Sequence, residues 1–344
     1  MTSLRRLPQF MTLVLACATS VHAVAQDKVL NLYSARHYQT DEALYANFTK
    51  ATGIKINRIE AGDDQIIERI RSEGANSPAD VLLLVDAARI WNAQQLGLFA
   101  PVKSALLETR IPASLRDKDG QWFGFSTRAR VIVYNKASIK PEDAASYEAL
   151  ADPKLKGKVC TRSGSHPYML SLVAAVAEHD GEAKAEQWAK GVVNNFARKP
   201  AGGDSDQIKA VASGECGVAL TNTYYWVRIA KSTKPEDIEI VKKTGFIWPN
   251  QSGYGTHVNV SGGAMLKNAP NKEAAVKFLE YLAGDEAQSY LANGTNEWPV
   301  VKSAVIKNPE LDGLGKFKAD HIGPAVFGKN TPAAQKIVDR AGWK

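Results

Sequence analysis

From residue 29 onward, short apolar runs alternate with segments whose apolar positions recur at helical spacing. Residues 29–33 read as a strand, 41–51 as a helix stopped by Gly53, 54–59 as a strand and 63–72 as a helix stopped by Gly74. Residues 81–85 form an uninterrupted apolar run, the mark of a buried strand, and 87–96 follow as an amphipathic helix. The second half repeats the rhythm: strand 158–160, helices 169–178 and 183–195, short helix 207–212, and strand 218–220 leading into Asn222-Thr223-Tyr224-Tyr225-Trp226. Strand-helix alternation predicts a mostly parallel sheet covered by helices, an α/β fold.

No Pro/Gly/Ser linker divides the chain. Residues 125–135, with the run Arg130-Val131-Ile132-Val133-Tyr134, read as an ordered strand crossing between two lobes. A return crossing is expected near 246–255, because helices over 272–282 and 286–292 need another surface to cover. The expected division is residues 26–127 plus about 253–300 for a discontinuous first lobe, and 128–252 plus about 301–344 for the second. Ligands of such lobes sit beyond the carboxyl ends of the strands.

The N-terminus changes the picture of where this happens. Arg5 and Arg6 precede an apolar run over 10–21 and the small-residue sequence Ala23-Val24-Ala25, which together read as a secretory signal covering residues 1–25. The apolar run is shorter than the ~20 residues that span a bilayer. Bulky Leu15 two places before Cys17 disfavours a lipoprotein signal, and Leu7-Pro8 after the arginine pair disfavours twin-arginine export. The formal charge of +7 becomes +5 when Arg5 and Arg6 leave. Basic and acidic residues interleave throughout, which argues against a nucleic-acid or membrane surface. Cys160 and Cys216 then remain in an oxidising compartment, where neighbouring parallel strands can pair them; two buried free thiols are the alternative.

GxSxG, HExxH, CxxC, a phosphate-binding GxxxxGK[ST] and a GxGxxG after the first strand are all absent, so catalysis has no support. Tyrosines, in contrast, fall after strands: Tyr38 after the first, Tyr168 after the one ending at Cys160, Tyr224 and Tyr225 after the one ending at Leu220. Phenolate is a hard, anionic oxygen donor suited to Fe³⁺, and a bound cation expels the phenol proton that otherwise stays on to a pH near ~10. Alone, a Tyr-Tyr pair is a packing feature. Asn222 suits a helix N-cap, whose dipole would favour phenolates there.

Leu32-Tyr33-Ser34-Ala35-Arg36-His37-Tyr38 with Asp41, Ser77-Pro78-Ala79-Asp80-Val81, Arg128-Ala129-Arg130-Val131-Ile132-Val133-Tyr134-Asn135 and Asn222-Thr223-Tyr224-Tyr225 together resemble the periplasmic ferric-binding proteins of ABC iron transporters. The resemblance implies a two-lobed periplasmic binding protein fold, type II-like, that closes on Fe³⁺ and delivers it to an inner-membrane permease as a monomer. One branch of that family pairs a histidine with a glutamate, but the glutamate position here is Val85. The other carries His-Tyr after the first strand and an extra tyrosine in the second lobe, matching His37-Tyr38 and Tyr168. It implies Tyr38, Tyr168, Tyr224 and Tyr225 as ligands, with His37 a fifth ligand or a group behind them. Four phenolates on Fe³⁺ leave one negative charge. Arg228, one turn after Tyr225, is the first choice to offset it; Arg36, Arg128 and Arg130 are further choices, each also able to hold a carbonate-like anion. His166 reads as a loop histidine. The rival reading is a small organic solute such as a polyamine, sugar or thiamine, gripped by Trp226, Trp248 and Trp298; a secreted enzyme lacks an assignable acid, base or nucleophile.

Overall fold

The computed structural model describes residues 28–36 and 38–344. The expected export signal, with Cys17, and the expected ligand His37 lie outside the described residues.

The first lobe opens with β1 (Val29–Ser34), α1 (Asp41–Thr52), β2 (Lys55–Glu60), α2 (Asp63–Glu73), β3 (Val81–Leu84), α3 (Ala87–Gln95) and α4 (Ala105–Arg110). β1 pairs in parallel with β2 and β3, as strand-helix alternation requires. All four residues of β3 are buried, which explains its unbroken apolar run. Gly53 ends α1 at φ 71°, the left-handed conformation that glycine adopts without steric cost.

β4 (Phe123–Asn135) is the crossing strand. It belongs to both sheets. Its first half pairs with a later strand of lobe one, and Arg130–Tyr134 pair with lobe two. Lobe two continues with β5 (Val159–Cys160), α5 (Pro167–Asp180), α6 (Glu182–Asn194), α7 (Asp204–Ser213), β6 (Val218–Asn222), α8 (Thr223–Ala230), α9 (Pro235–Lys243) and β7 (Thr244–Ile247). β5 and β6 are parallel neighbours, and Cys160 and Cys216 form a disulfide with Cα atoms 5.9 Å apart. Closing a loop of 56 residues stabilises the fold by about 4 kcal/mol in the chain-entropy account.

The return crossing starts later than the hydrophobic pattern suggests. Phe246 and Ile247 are held in lobe two by their ladder with Val133 and Ile132, so the chain crosses over residues 248–257 into β8 (Val258–Met265). β8 lies between β3 and β4, antiparallel to both, and completes the first sheet. With β4 also antiparallel to β6 and β7, the sheets are mixed and not mostly parallel as the alternation predicts, because the crossing and returning strands run against their neighbours. α10 (Lys272–Leu282) and α11 (Asp285–Asn293) then cover lobe one; Ala275, Phe278, Leu279 and Leu282 of α10 recur at helical spacing and are buried. A third passage follows through β9 (Trp298–Pro299), which pairs with Ser126 and Thr127 of β4. α12 (Pro309–Asp312) and α13 (Pro324–Ala341) end the chain. α13 packs on α5 and α6 of lobe two and on α3 of lobe one. Just beyond it, Trp343 is buried against the loop that leads to Tyr168: a Cβ at Gly164 would lie 2.8 Å from its ring, and its Nε1 donates to Thr161 Oγ1 at 3.0 Å. Among the described residues no helix is long and apolar enough to cross a membrane.

Candidate metal centre

Each of the four predicted tyrosines stands just past the carboxyl end of a strand, and the fold brings them together. Tyr38 occupies the turn between β1 and α1, where its carbonyl accepts from Asp41 N at 2.8 Å. Tyr168 is in the first turn of α5, after Pro167, whose fixed φ suits a helix start. His166 is the N-cap of that helix rather than a simple loop residue: its Nδ1 accepts from Tyr168 N at 3.2 Å. Tyr224 and Tyr225 open α8, with rings 4.3 Å apart and tilted by 35°. Asn222 holds the N-cap position but makes no capping bond; its Oδ1 accepts from Arg130 and its Nδ2 donates to Tyr224 Oη at 3.5 Å.

The hydroxyl groups form a chain across the cleft. Tyr38 Oη of lobe one donates to Tyr224 Oη at 3.0 Å, and Tyr224 Oη donates to Tyr168 Oη at 3.2 Å. All four side chains are buried, Tyr225 being the most exposed at 8%. Burial pushes the Tyr168 phenol up to about 12, with Tyr225 adding to the rise and Arg128 opposing it. Tyr38 and Tyr224 are raised well above the ordinary phenol value, again by burial first and then by the neighbouring Tyr168. Without a cation Tyr38, Tyr168 and Tyr224 therefore keep their protons. Among the described residues no group of three or more His, Cys, Asp or Glu side chains is arranged for a metal ion.

Guanidinium groups surround the rings. Arg36 lies 4.9 Å from the Tyr38 ring centre, Arg128 5.7 Å from Tyr168, and Arg228 5.4 Å from Tyr225 and 6.0 Å from Tyr38. Arg36 is bound on both sides, bidentately to Asp41 and through Nη1 to Glu297. Arg128 donates to Ser261 Oγ at 2.8 Å, while its Nε and Nη2 are buried without a partner. Arg130 faces elsewhere: it bonds Asp204 at 2.6 Å, Asn222 and the Leu220 carbonyl, and so braces the start of α8. Arg162, 5.2 Å from the Tyr168 ring, belongs to no motif that singles it out in the sequence.

Two further buried groups leave no mark in the sequence pattern. Glu297 is fully buried, and Arg36 and Arg128 hold its carboxyl below the usual range against the cost of burial. His257, on the return crossing, is pushed down to about 3 by burial and by Arg130 and Arg128. Isolated Glu and His residues in Asn296-Glu297-Trp298 and Thr256-His257-Val258 give no periodic signal. The tryptophans considered for an organic solute share the apolar cluster of the tyrosines but pack on other side chains: Trp226 is buried in α8, and Trp248 stacks on Phe317 at 4.0 Å beside Trp298. A cavity of about 630 Å³ opens beside Tyr168, lined by Ala35, Asp63, Val85 and His166 among others.

Residues 43–319 match the family described as bacterial extracellular solute-binding protein. The chain is similar to iron uptake protein A1 of Synechocystis, at 52% identity over 93% of this chain and 88% of that protein. A solved structure of Trichodesmium FutA with iron and citrate ligands superposes with a TM-score of 0.84 at 53% identity, covering 92% of this chain and 100% of the other. The ferric binding protein from Campylobacter jejuni superposes with a TM-score of 0.88 at 41% identity, covering 92% and 100%.

Proposed function

The chain belongs to the bacterial extracellular solute-binding proteins, and from that membership we propose that it captures ferric iron in the periplasm and hands it to an ABC permease, binding the ion through Tyr38, Tyr168, Tyr224 and Tyr225. The carrying observation is the hydroxyl chain joining Tyr38, Tyr224 and Tyr168 across the cleft. Phenols at hydrogen-bond distance from one another present oxygens to a common point. A hard trivalent cation there reverses the raised proton affinity of the buried phenols, because the ion's charge outweighs the burial that kept them neutral. His37, next to Tyr38 in the chain, is proposed as a fifth donor.

Fe³⁺ with four phenolates carries one negative charge. Arg228, above the Tyr225 and Tyr38 rings, and Arg128, with two unpartnered buried nitrogens, offset it in this reading. Arg128 is also the group that would hold a carbonate-like anion in an open coordination position. Arg36, neutralised by Asp41 and Glu297, serves the loop of Tyr38 instead. The protein acts as a monomeric carrier and performs no catalysis.

Addition of ferric citrate to the apo protein tests the reading, since phenolate bound to Fe³⁺ produces a visible charge-transfer band. The expected result is a red or orange protein that bleaches on acidification, taking up more than one proton per iron released to a non-absorbing chelator. A protein that stays colourless, or that releases iron without proton uptake, overturns it.

A further inference from the structure

Tyr38 is the one clustered tyrosine on lobe one, and it stands in a loop rather than in a helix. What holds it is a carboxylate far away in sequence. Glu297 Oε2 accepts from Arg36 Nη1 at 3.0 Å and from Ser126 Oγ at 2.8 Å, and Oε1 accepts from Ser261 Oγ at 3.5 Å. Arg36 precedes Tyr38 by two residues, lies over its ring at 4.9 Å and fixes the start of α1 through Asp41. Ser126 is on the outgoing strand β4, Ser261 on the returning strand β8, and Glu297 itself adjoins the third passage at β9. One carboxylate therefore ties all three chain passages between the lobes to the loop bearing Tyr38.

The backbone is shaped to present this group. Asn296 adopts φ 63°, a left-handed conformation uncommon outside glycine, and its Oδ1 accepts from Asn308 Nδ2 at 2.9 Å and from Lys231 Nζ at 3.2 Å. Glu297 N donates to the Leu291 carbonyl at 3.1 Å, closing the turn after α11. Pairing settles why a carboxylate is tolerated at zero exposure: two guanidinium groups and two hydroxyls face it.

We propose that Glu297 is a positioning residue for iron: acting through Arg36, it sets the place of the Tyr38 hydroxyl relative to the hinge strands. The inference rests on Tyr38 being an iron donor. In this role Glu297 is not a donor: its hold on the site passes mainly through Arg36 to Tyr38, with a lesser part through its charge on Arg128, so most of its effect must vanish when Tyr38 has no oxygen to place.

A double-mutant cycle tests this. Glu297→Gln keeps the shape and removes the charge, and iron release to a chelator is followed by loss of the charge-transfer band. In the wild-type background Glu297→Gln should accelerate release by about tenfold, and in the Tyr38→Phe background by less than about twofold. The band of the single variant should also weaken, since one phenolate is misplaced. Equal acceleration in both backgrounds, or none in the wild type, overturns the proposal. A purely structural Glu297 would give the equal result together with a lower apo melting temperature. Should Glu297→Gln fail to fold, Ser126→Ala takes its place in the same cycle, with a smaller effect of the same pattern expected and the same outcomes overturning it. The wild-type band separates the two hypotheses: its absence removes the iron reading, whereas its presence with an additive cycle removes only the role of Glu297.

Discussion

Three of the four clustered tyrosines stand on lobe two and one on lobe one, and the two sides are built differently. On lobe two, Tyr168, Tyr224 and Tyr225 occupy the first turns of α5 and α8, where helix geometry fixes them. The strands that lead to those helices are joined by the Cys160–Cys216 disulfide. Asp204 Oδ2 accepts from Asn222 N at 2.7 Å and from Arg130, so the start of α8 is tied to α7 and to the crossing strand. On lobe one, Tyr38 depends on side-chain contacts of Arg36. If these tyrosines bind the ion as proposed, lobe two carries a preorganised set of three donors, and Tyr38 of lobe one, with His37 next to it in the chain, completes the shell when the cleft shuts.

The largest effect should come from the middle of the hydroxyl chain. Tyr224 accepts from Tyr38 and donates to Tyr168, so Tyr224→Phe removes a donor and separates the remaining two hydroxyls. Ferric affinity should fall by more than about a hundredfold, beyond what loss of a supporting group around a metal costs. The apo melting temperature should barely change, because the ring keeps its packing against Tyr38 and Tyr225. Competition against a ferric chelator, paired with apo thermal melts, checks both; unchanged affinity would remove Tyr224 from the ligand set.

Tyr38→Phe should cost less, because the set on lobe two stays intact. Its particular signature is in shape. Iron should reduce the radius of gyration of the wild type in small-angle scattering, and the reduction should be smaller in the variant, whose lobe one has lost its phenolate and keeps only His37 as a donor. If Tyr38→Phe weakens iron as much as Tyr224→Phe does, lobe two is not preorganised and the contrast between the lobes fails.

Part of that contrast is legible in the amino-acid sequence. Strand ends are readable from apolar periodicity, and the four tyrosines follow three strands whose limits lie within about two residues of those the pattern predicts. The disulfide is legible as one of two alternatives, because both cysteines flank runs that a parallel sheet makes neighbours. What the pattern hides depends on contacts distant in sequence. Glu297 meets Arg36 across 261 residues, and no local pattern announces such a pair. α13 is hidden because Pro332 lies inside it, and proline argues against a helix interior. Arg130 has the right chemistry for a place beside the tyrosines, but the ladder of β4 with β6 sets it against Asp204 and Asn222 instead.

The smallest expected effect on iron lies between the lobes, and it distinguishes loss of iron in acid from loss of the fold. His257 sits on the return crossing at 2% exposure; its Nδ1 has no partner, and its ring meets Phe327 of α13 edge-on at 4.9 Å. Burial and the two buried arginines hold it down to about 3 in the folded state, whereas in the unfolded chain it titrates near ~6.5. Between those values the unfolded state takes up a proton that the folded state refuses. Stability contributed by neutral His257 is thus fully present above about pH 6.5 and is lost as pH falls toward about 3, at roughly 1.4 kcal/mol per pH unit from this one group. His257→Phe keeps the ring against Phe327 and removes both the orphan nitrogen and the titration. Urea unfolding of the apo variant at pH 7, 6, 5 and 4 should show an acid slope shallower by about one proton, with stability at pH 7 unchanged or raised by about 1 kcal/mol. The pH at which iron leaves should stay that of the wild type, because release follows the phenols rather than the hinge. An unchanged slope would mean that His257 is not held neutral, and a shifted release pH would mean that hinge and donor set titrate as one unit, against the separation of the two lobes drawn above.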